Sequence, residues 1–88
     1  MNVKYEARFE KDIHCIKDAA ILSKLKKIII QCKEAQELSE IRHLKKMQGY
    51  ATFYRLRIGD YRLGIEFTNN ELIFTRFLHR KDIYKVFP

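Results

Sequence analysis

The sequence predicts an α+β fold in which an N-terminal strand and a helical hairpin precede a three-stranded antiparallel meander and a short C-terminal helix or turn. In the first half of the 88-residue chain, apolar residues recur at helical spacing, whereas from Tyr50 onward they alternate with polar residues as in strands. Gly59-Asp60 and Asn69-Asn70 are turn signals that divide this second half into three strands. Because a chain of this length buries one modest core, we expect a single domain over residues 1–88.

The first half should contain one strand and two helices. Alternating apolar and polar residues indicate a strand at about residues 2 to 8, and acidic residues favour a short helix over 9–16. Asp18 can cap a second helix. We interpret residues 36–49, whose apolar pattern is weaker, as a short helical turn and a basic connector. The second helix has four apolar residues at helical spacing: Leu22, Leu25, Ile29 and Cys32.

The meander should carry a basic face. In the strand before Gly59, one side carries Tyr54, Leu56 and Ile58, and the other side carries Phe53, Arg55 and Arg57. In the next strand, Arg62 and Glu66 belong to the polar row. Pairing these two strands can therefore bring the three arginines together on one surface.

The C-terminal part is less clearly patterned. A third strand is expected over residues 72–78, but its apolar residues lie on both faces, so the pattern assigns no face to Arg76. The final segment, HRKDIYKVFP, should form a short helix or turn.

Positive charge is concentrated in the middle of the chain. The net charge is +7, and residues 41–62 hold six Lys/Arg against one Asp/Glu. Guanidinium groups bind phosphate oxygens two at a time, and counterion release adds affinity for a polyanion, so RNA or DNA is the first partner to consider. The alternative is that the arginines only keep a sheet face soluble. Four lysines of the second helix fall mostly outside its apolar stripe and are interpreted as a solvated face: Lys24, Lys26, Lys27 and Lys33.

Several other classes of protein are disfavoured. The longest apolar run, residues 28–30, is too short for a bilayer, and the N-terminus lacks the apolar core of a signal peptide, so we expect a cytoplasmic protein without membrane partners. Cys15 and Cys32 should be reduced, mostly buried structural thiols. With His14 and His43 they show no metal-ligand spacing, so neither a metal nor a cofactor is expected.

The order of elements, with YRLRIGDYR in the middle and HRKDIY near the end, resembles the RelE/ParE superfamily of bacterial toxin-antitoxin toxins, and specifically its RelE-like branch. The resemblance covers nearly the whole chain. It implies a type II toxin with a microbial RNase-like fold, a metal-independent endoribonuclease that cuts mRNA in the ribosomal A site. It also implies an acidic antitoxin encoded beside the toxin, through which alone operator DNA would be contacted.

The resemblance assigns roles to residues of the meander. Arg55 matches a basic position that acts as base or phosphate ligand, and Arg57 falls at a neighbouring basic position. Arg62 matches the arginine thought to stabilise the transition state. Phe53 departs from the pattern, because the best-studied branch has a lysine there, and this shifts the expected proton transfer toward the tail.

In the tail, the resemblance places His79 and Arg80 where relatives have a catalytic histidine or arginine, and it matches Tyr84 to an aromatic residue that stacks on a base. Lys81 flanks these residues as a candidate substrate contact. Lys45 and Lys46, in the basic connector, are candidate phosphate contacts to ribosomal RNA, with a solvated loop as the alternative.

The chemistry of RNA cleavage also indicates a role for the C-terminal segment. Metal-free RNA cleavage needs a base for the 2′-hydroxyl, cations for the phosphorane, and an acid for the leaving 5′-oxygen. Arginine, with a pKa above ~12, suits only the second role, whereas the ordinary histidine value of ~6.5 suits the others. We therefore expect His79 to lie beside the basic face as the proton-transfer group. Glu66 is a second candidate base, unless it forms an ion pair with Arg62 or Arg57.

Two other functions stay open. One is a ParE-like toxin that poisons DNA gyrase by protein binding, and the other is a basic RNA-binding module of the same fold without catalysis.

Overall fold

A five-stranded sheet carries two helices on one face and a short C-terminal helix on the other. The computed structural model describes all residues from 1 to 88. The predicted α+β class is confirmed. The elements in chain order are β1 (Asn2–Tyr5), α1 (Ala7–His14), α2 (Ala19–Glu34), β2 (Lys45–Lys46), β3 (Phe53–Ile58), β4 (Tyr61–Thr68), β5 (Glu71–His79) and α3 (Ile83–Val86), with a single 3₁₀ turn at Leu38–Glu40.

The strand order is β1-β5-β4-β3-β2. The antiparallel meander of β3, β4 and β5 is confirmed, and β1 pairs in parallel with β5. The first strand is shorter than predicted because the Glu6 carbonyl accepts from the Glu10 amide and so begins α1. The basic connector contributes β2, a two-residue strand at the edge of β3.

The main core lies between the sheet and the first two helices. As predicted, Asp18 caps α2: its Oδ1 accepts from the amides of Ala20 at 2.9 Å and Ile21 at 3.3 Å. Cys32 is buried, and this burial raises the pKa of its thiol to about 11. The expectation for Cys15 was wrong, because its side chain is exposed just after the end of α1. The principal side chains of this core are Phe9, Ile21, Leu25, Leu56, Leu63, Ile65, Leu72, Phe74 and Phe77.

Both predicted turns are present. Gly59 adopts φ +58°, and Asn69 and Asn70 adopt φ +50° and +61°. Glycine and asparagine tolerate this left-handed region better than other residues, so these residue types allow tight connections on either side of β4. None of the three helices has the length and apolar character needed to cross a membrane.

A bulge in β5 decides which way its side chains point. Gly64 pairs with Arg76 and Ile65 with Phe74, so Thr75 is an extra residue without a partner on β4. The Thr75 hydroxyl donates to the Gly64 carbonyl at 3.0 Å. The extra residue reverses the alternation of faces, which is why apolar side chains before and after it face the same core.

The bulge also directs Arg76, whose face the sequence pattern left open. Its Nε and Nη2 donate to the two carboxylate oxygens of Asp12 at 2.8 and 3.0 Å, and the Phe77 amide donates to the same carboxylate at 3.0 Å. This hydrogen bonding raises the pKa of Arg76 above its already high ordinary value. Asp12 is nearly buried, so the pair fixes α1 to β5 and leaves Arg76 engaged within the fold.

The C-terminal segment covers part of the second face of the sheet. Ile83 and Phe87 are buried but lie outside the main core. The Phe87 ring packs edge to face on Phe53 at 5.6 Å. It also lies over Gly64, where an added Cβ would come within 2.8 Å of the ring. The glycine therefore provides the space in which the tail docks.

Candidate functional site

Four basic side chains lie on the sheet face opposite the main core. Directly opposed residues in antiparallel strands point to the same side, and residues two apart on one strand do as well. Lys45 pairs with Arg55, and Arg57 pairs with Arg62. The prediction that the three arginines share a face is confirmed. We call this surface the basic face and define it by Lys45, Arg55, Arg57 and Arg62.

Arg62 is nearly buried on this face. It belongs to the polar row of β4, as expected, but the residue is only 8% exposed. Its Nη1 donates to the carbonyl oxygens of Gly59 and Tyr61, both at 2.9 Å. The tight turn after β3 points these carbonyls toward the guanidinium, and the side chain is therefore held in one orientation.

The rest of the Arg62 guanidinium is available to a ligand. Its Nε and Nη2 have no hydrogen-bond partner in the protein. No buried side-chain nitrogen or oxygen in the chain lacks a partner, so each of these two atoms keeps some solvent-accessible surface. Together Nε and Nη2 form the edge of the guanidinium that binds two oxygens of a phosphate. Arg62 is thus an oriented anion donor within an otherwise buried side chain.

The tail contributes further cations at the same end of the sheet. The Arg80 amide donates to the Asp60 carbonyl at 2.8 Å, and its Nε lies 3.9 Å from the Asp60 carboxylate. This places Arg80 beside the turn that Arg62 holds. Lys81 is exposed, and Tyr84 on α3 is 51% exposed next to the buried Ile83. The Tyr84 ring is therefore free to stack on a planar ligand.

His79 does not join the basic face. It pairs with Tyr61, and the two rings lie 5.7 Å apart on the side of the sheet that faces the main core. Its Nδ1 accepts from the Lys81 amide at 3.1 Å. The expected position was wrong because the Thr75 bulge reverses the faces of β5. His79 lies instead beside Cys15 and Asp12 in a small pocket of about 200 Å³.

Glu66 keeps a free carboxylate on the same side as Arg62. The ion pair with Arg62 or Arg57 is not formed, because neither arginine has a nitrogen within 4.0 Å of it. Instead Glu66 lines a pocket of about 210 Å³ with Phe53 and Phe87. Arg8 and Glu6, which the sequence did not single out, line it too. These two residues reach the pocket because α1 and the tail dock beside each other, which no local sequence pattern predicts.

The two connector lysines point to opposite sides. Lys45 belongs to the basic face, whereas Lys46 pairs with Tyr54, whose ring packs against the main core. They therefore do not form one contact surface as the sequence suggested. Lys24 and Lys27, interpreted as part of a solvated helix face, lie beside Arg57. No three His, Cys, Asp or Glu side chains are arranged to hold a metal ion.

Residues 3–84 match the family described as "ParE toxin of type II toxin-antitoxin system, parDE". Over its whole length the chain is 39% identical to the full length of Toxin RelE3 of Methanocaldococcus jannaschii.

The fold is shared with solved toxins. It matches the RelB-RelE antitoxin-toxin complex from Methanococcus jannaschii with a TM-score of 0.83 and 38% identity, over 97% of this chain and 99% of that one. The E. coli RelBE complex gives a TM-score of 0.68 at 17% identity, over 89% and 94% of the two chains, and this likeness concerns the fold alone.

The family match spans every strand that builds the basic face, and the archaeal relative is similar from end to end in both sequence and structure. The chain therefore belongs to the ParE/RelE family of toxins of type II toxin-antitoxin systems.

Proposed function

We propose that this toxin is a metal-independent endoribonuclease that cleaves mRNA, with the ribosome holding the message against the basic face. The observation that supports it best is Arg62, whose guanidinium is oriented by a turn while two of its nitrogens stay open to solvent. Donors fixed in advance stabilise developing negative charge more effectively than mobile ones. The ribosome confines this activity to the cytoplasm.

The basic face supplies charge stabilisation in this proposal. Arg62 would bind the scissile phosphate through Nε and Nη2, with Arg57 directly opposite it across the strand pair. Arg55 and Lys45 would hold a neighbouring phosphate of the same strand. Arg80 adds a further cation beside the turn, and Lys81 a substrate contact near it. Tyr84 would stack on a base and fix the message in register.

Proton transfer has two candidates with different placements. Histidine is the residue type best suited to proton transfer near neutral pH, but the His79 ring lies across the sheet from Arg62. Glu66 lies on the same side as Arg62, four residues along the strand, and has no ion-pair partner. We propose that Glu66 accepts the 2′-hydroxyl proton as the general base, and we retain His79 as the alternative base.

An acidic antitoxin is the partner that this charge distribution favours. Solved structures of similar toxins include complexes with RelB and with DinJ. A net charge of +7 and an open basic face would be neutralised by an acidic peptide that folds as it wraps around the toxin.

The role of Arg62 can be tested by replacing it with Ala and, separately, with Lys. Single-turnover cleavage on programmed ribosomes, followed by primer extension, should fall about 10²- to 10³-fold for Arg62→Ala. Arg62→Lys keeps the charge but loses the paired donors, so most of the loss should persist.

Because Arg62 also holds a turn, the fold of both variants should be verified by circular dichroism before rates are compared. Lys26→Ala serves as the matched control, since it removes an exposed cation far along α2. A folded Arg62→Ala protein that cleaves at the unmodified rate would contradict the assignment.

Gyrase poisoning is the second candidate, because the matching family is described by its ParE member. The two functions leave different damage in cells that make the toxin. Gyrase-linked DNA breaks with intact messages would support the ParE-like function, whereas cleaved messages with intact DNA would support RNA cleavage. Growth without either kind of damage would indicate the non-catalytic module.

A further inference from the structure

A second basic cleft lies at the end of β3, around the corner from the basic face. It has a volume of about 300 Å³ and is lined by three cations and three small or apolar residues. Lys24 and Lys27 stand one helical turn apart on α2 and point to the same side of that helix. The complete lining is Lys24, Lys27, Ile28, Arg57, Ile58 and Gly59.

The cations of this cleft are not neutralised within the protein. None of Lys24, Lys27 and Arg57 forms an ion pair. No acidic residue lines the cleft, and Asp60, the nearest in sequence, lies toward Arg80. Three like charges brought together raise the local potential, which an anionic ligand relieves. The cleft therefore presents three positive charges that the protein itself leaves unpaired.

Arg57 connects the cleft to the basic face. It pairs with Arg62 across the strands and also lines the cleft with the two lysines. A chain of phosphates that runs over Arg62 and Arg57 would next reach α2. We propose that the Lys24–Lys27–Arg57 cleft binds a backbone phosphate of the RNA strand, extending the RNA track from the sheet onto the helical layer. This inference rests on the proposed function for the identity of the polyanion.

The lining favours RNA over an acidic peptide. A peptide that folds on binding needs apolar anchor pockets, and this cleft offers only Ile28 and Ile58. A phosphate needs cationic donors alone, and the guanidinium of Arg57 with two ammonium groups supplies them.

The experiment measures binding without cleavage. The probe is a short, fluorescent single-stranded RNA whose 2′-hydroxyls are methylated, so that attack on the phosphate is impossible. Its affinity is determined by fluorescence anisotropy over a range of salt concentrations for three full-length proteins. These are the unmodified toxin, Lys24→Gln/Lys27→Gln, and Lys26→Gln/Lys33→Gln. The second pair is the matched control, because it removes the same charge from exposed positions of α2 outside the cleft.

For Lys24→Gln/Lys27→Gln we expect about tenfold weaker binding at low salt. We also expect the slope of log affinity against log salt to decrease in magnitude by about 0.7, the value for one phosphate of a single strand. The control pair should change both quantities much less.

Equal losses in the two double variants would overturn the proposal, since they would reflect net charge alone. Unchanged RNA affinity would overturn it as well, and weaker antitoxin binding in that case would identify a protein-docking site. Because the probe cannot be cleaved, the measured affinity does not depend on whether Arg62 takes part in catalysis.

Discussion

A single guanidinium, that of Arg62, both holds a turn and offers donors to a ligand. Its Nη1 is used by two backbone carbonyls, and its other two nitrogens are open. The turn therefore restricts the rotamers of the arginine before any substrate arrives, which lowers the entropy lost on binding. Arg57, across the strand pair, is exposed and has no such constraint. We expect Arg62 to set the position of the phosphate and Arg57 to add charge.

Glu66 and His79 can be separated by two conservative changes. Glu66→Gln and His79→Gln each remove a titrating group and keep a polar side chain of similar size. We expect Glu66→Gln to lower the single-turnover cleavage rate about 10²- to 10⁴-fold, the usual contribution of a general base. His79→Gln should change it less than about threefold, because its ring lies on the other side of the sheet. The rates are measured on programmed ribosomes with saturating toxin. A larger loss of rate for His79→Gln than for Glu66→Gln would instead identify His79 as the proton-transfer group.

At the scale of elements, the tail depends on the absence of a side chain at Gly64. An added Cβ would lie 2.8 Å from two Phe87 ring atoms, closer than real contacts allow. Gly64→Ala should therefore lower the free energy of unfolding by about 1 to 3 kcal/mol, the usual cost of overpacking. It should also increase amide hydrogen exchange in α3.

A double-mutant cycle shows whether Phe87 is the cause. In a Phe87→Ala background the ring is gone, so Gly64→Ala should cost much less, and urea denaturation of the four proteins measures the difference. The same cost in both backgrounds would mean that the strain arises in β4 itself.

The elements themselves were largely predictable, because each follows from local residues. Only nearby sequence is needed to predict the Asp18 cap and the turns at Gly59 and Asn69. The same holds for the burial of Leu25 and Cys32 on one face of α2. The pairing of β1 with β5 was not predictable, since alternation reveals the faces of a strand but not its neighbours.

The position of His79 shows the same limit within the site. The resemblance and the chemistry of proton transfer placed His79 beside the basic face, whereas one extra residue, Thr75, directs it to the other side of the sheet. No local sequence signal predicts that a threonine in a strand will form a bulge. The arginines of β3 and β4 were predicted well because the strand pair that holds them is regular and joined by a two-residue turn.

At the scale of the whole molecule, the charge of +7 should control how fast a partner arrives. Association with an acidic antitoxin should be steered electrostatically, so its rate constant should fall about tenfold or more between low and high salt. Stopped-flow mixing of the purified toxin and antitoxin over a salt series measures this. A basic partner, or a rate that does not depend on salt, would contradict the expectation.

The parallel pairing of β1 with β5 has a consequence for how the toxin is made. Tyr5 finds its partner, Phe74, only after most of the chain has been synthesised. At about 5 to 20 residues per second, the first strand waits roughly 3 to 14 s without a neighbour. Contacts of such long sequence separation form late in folding. The five-stranded sheet is therefore completed only after β5 has been synthesised, so the full fold forms late in translation.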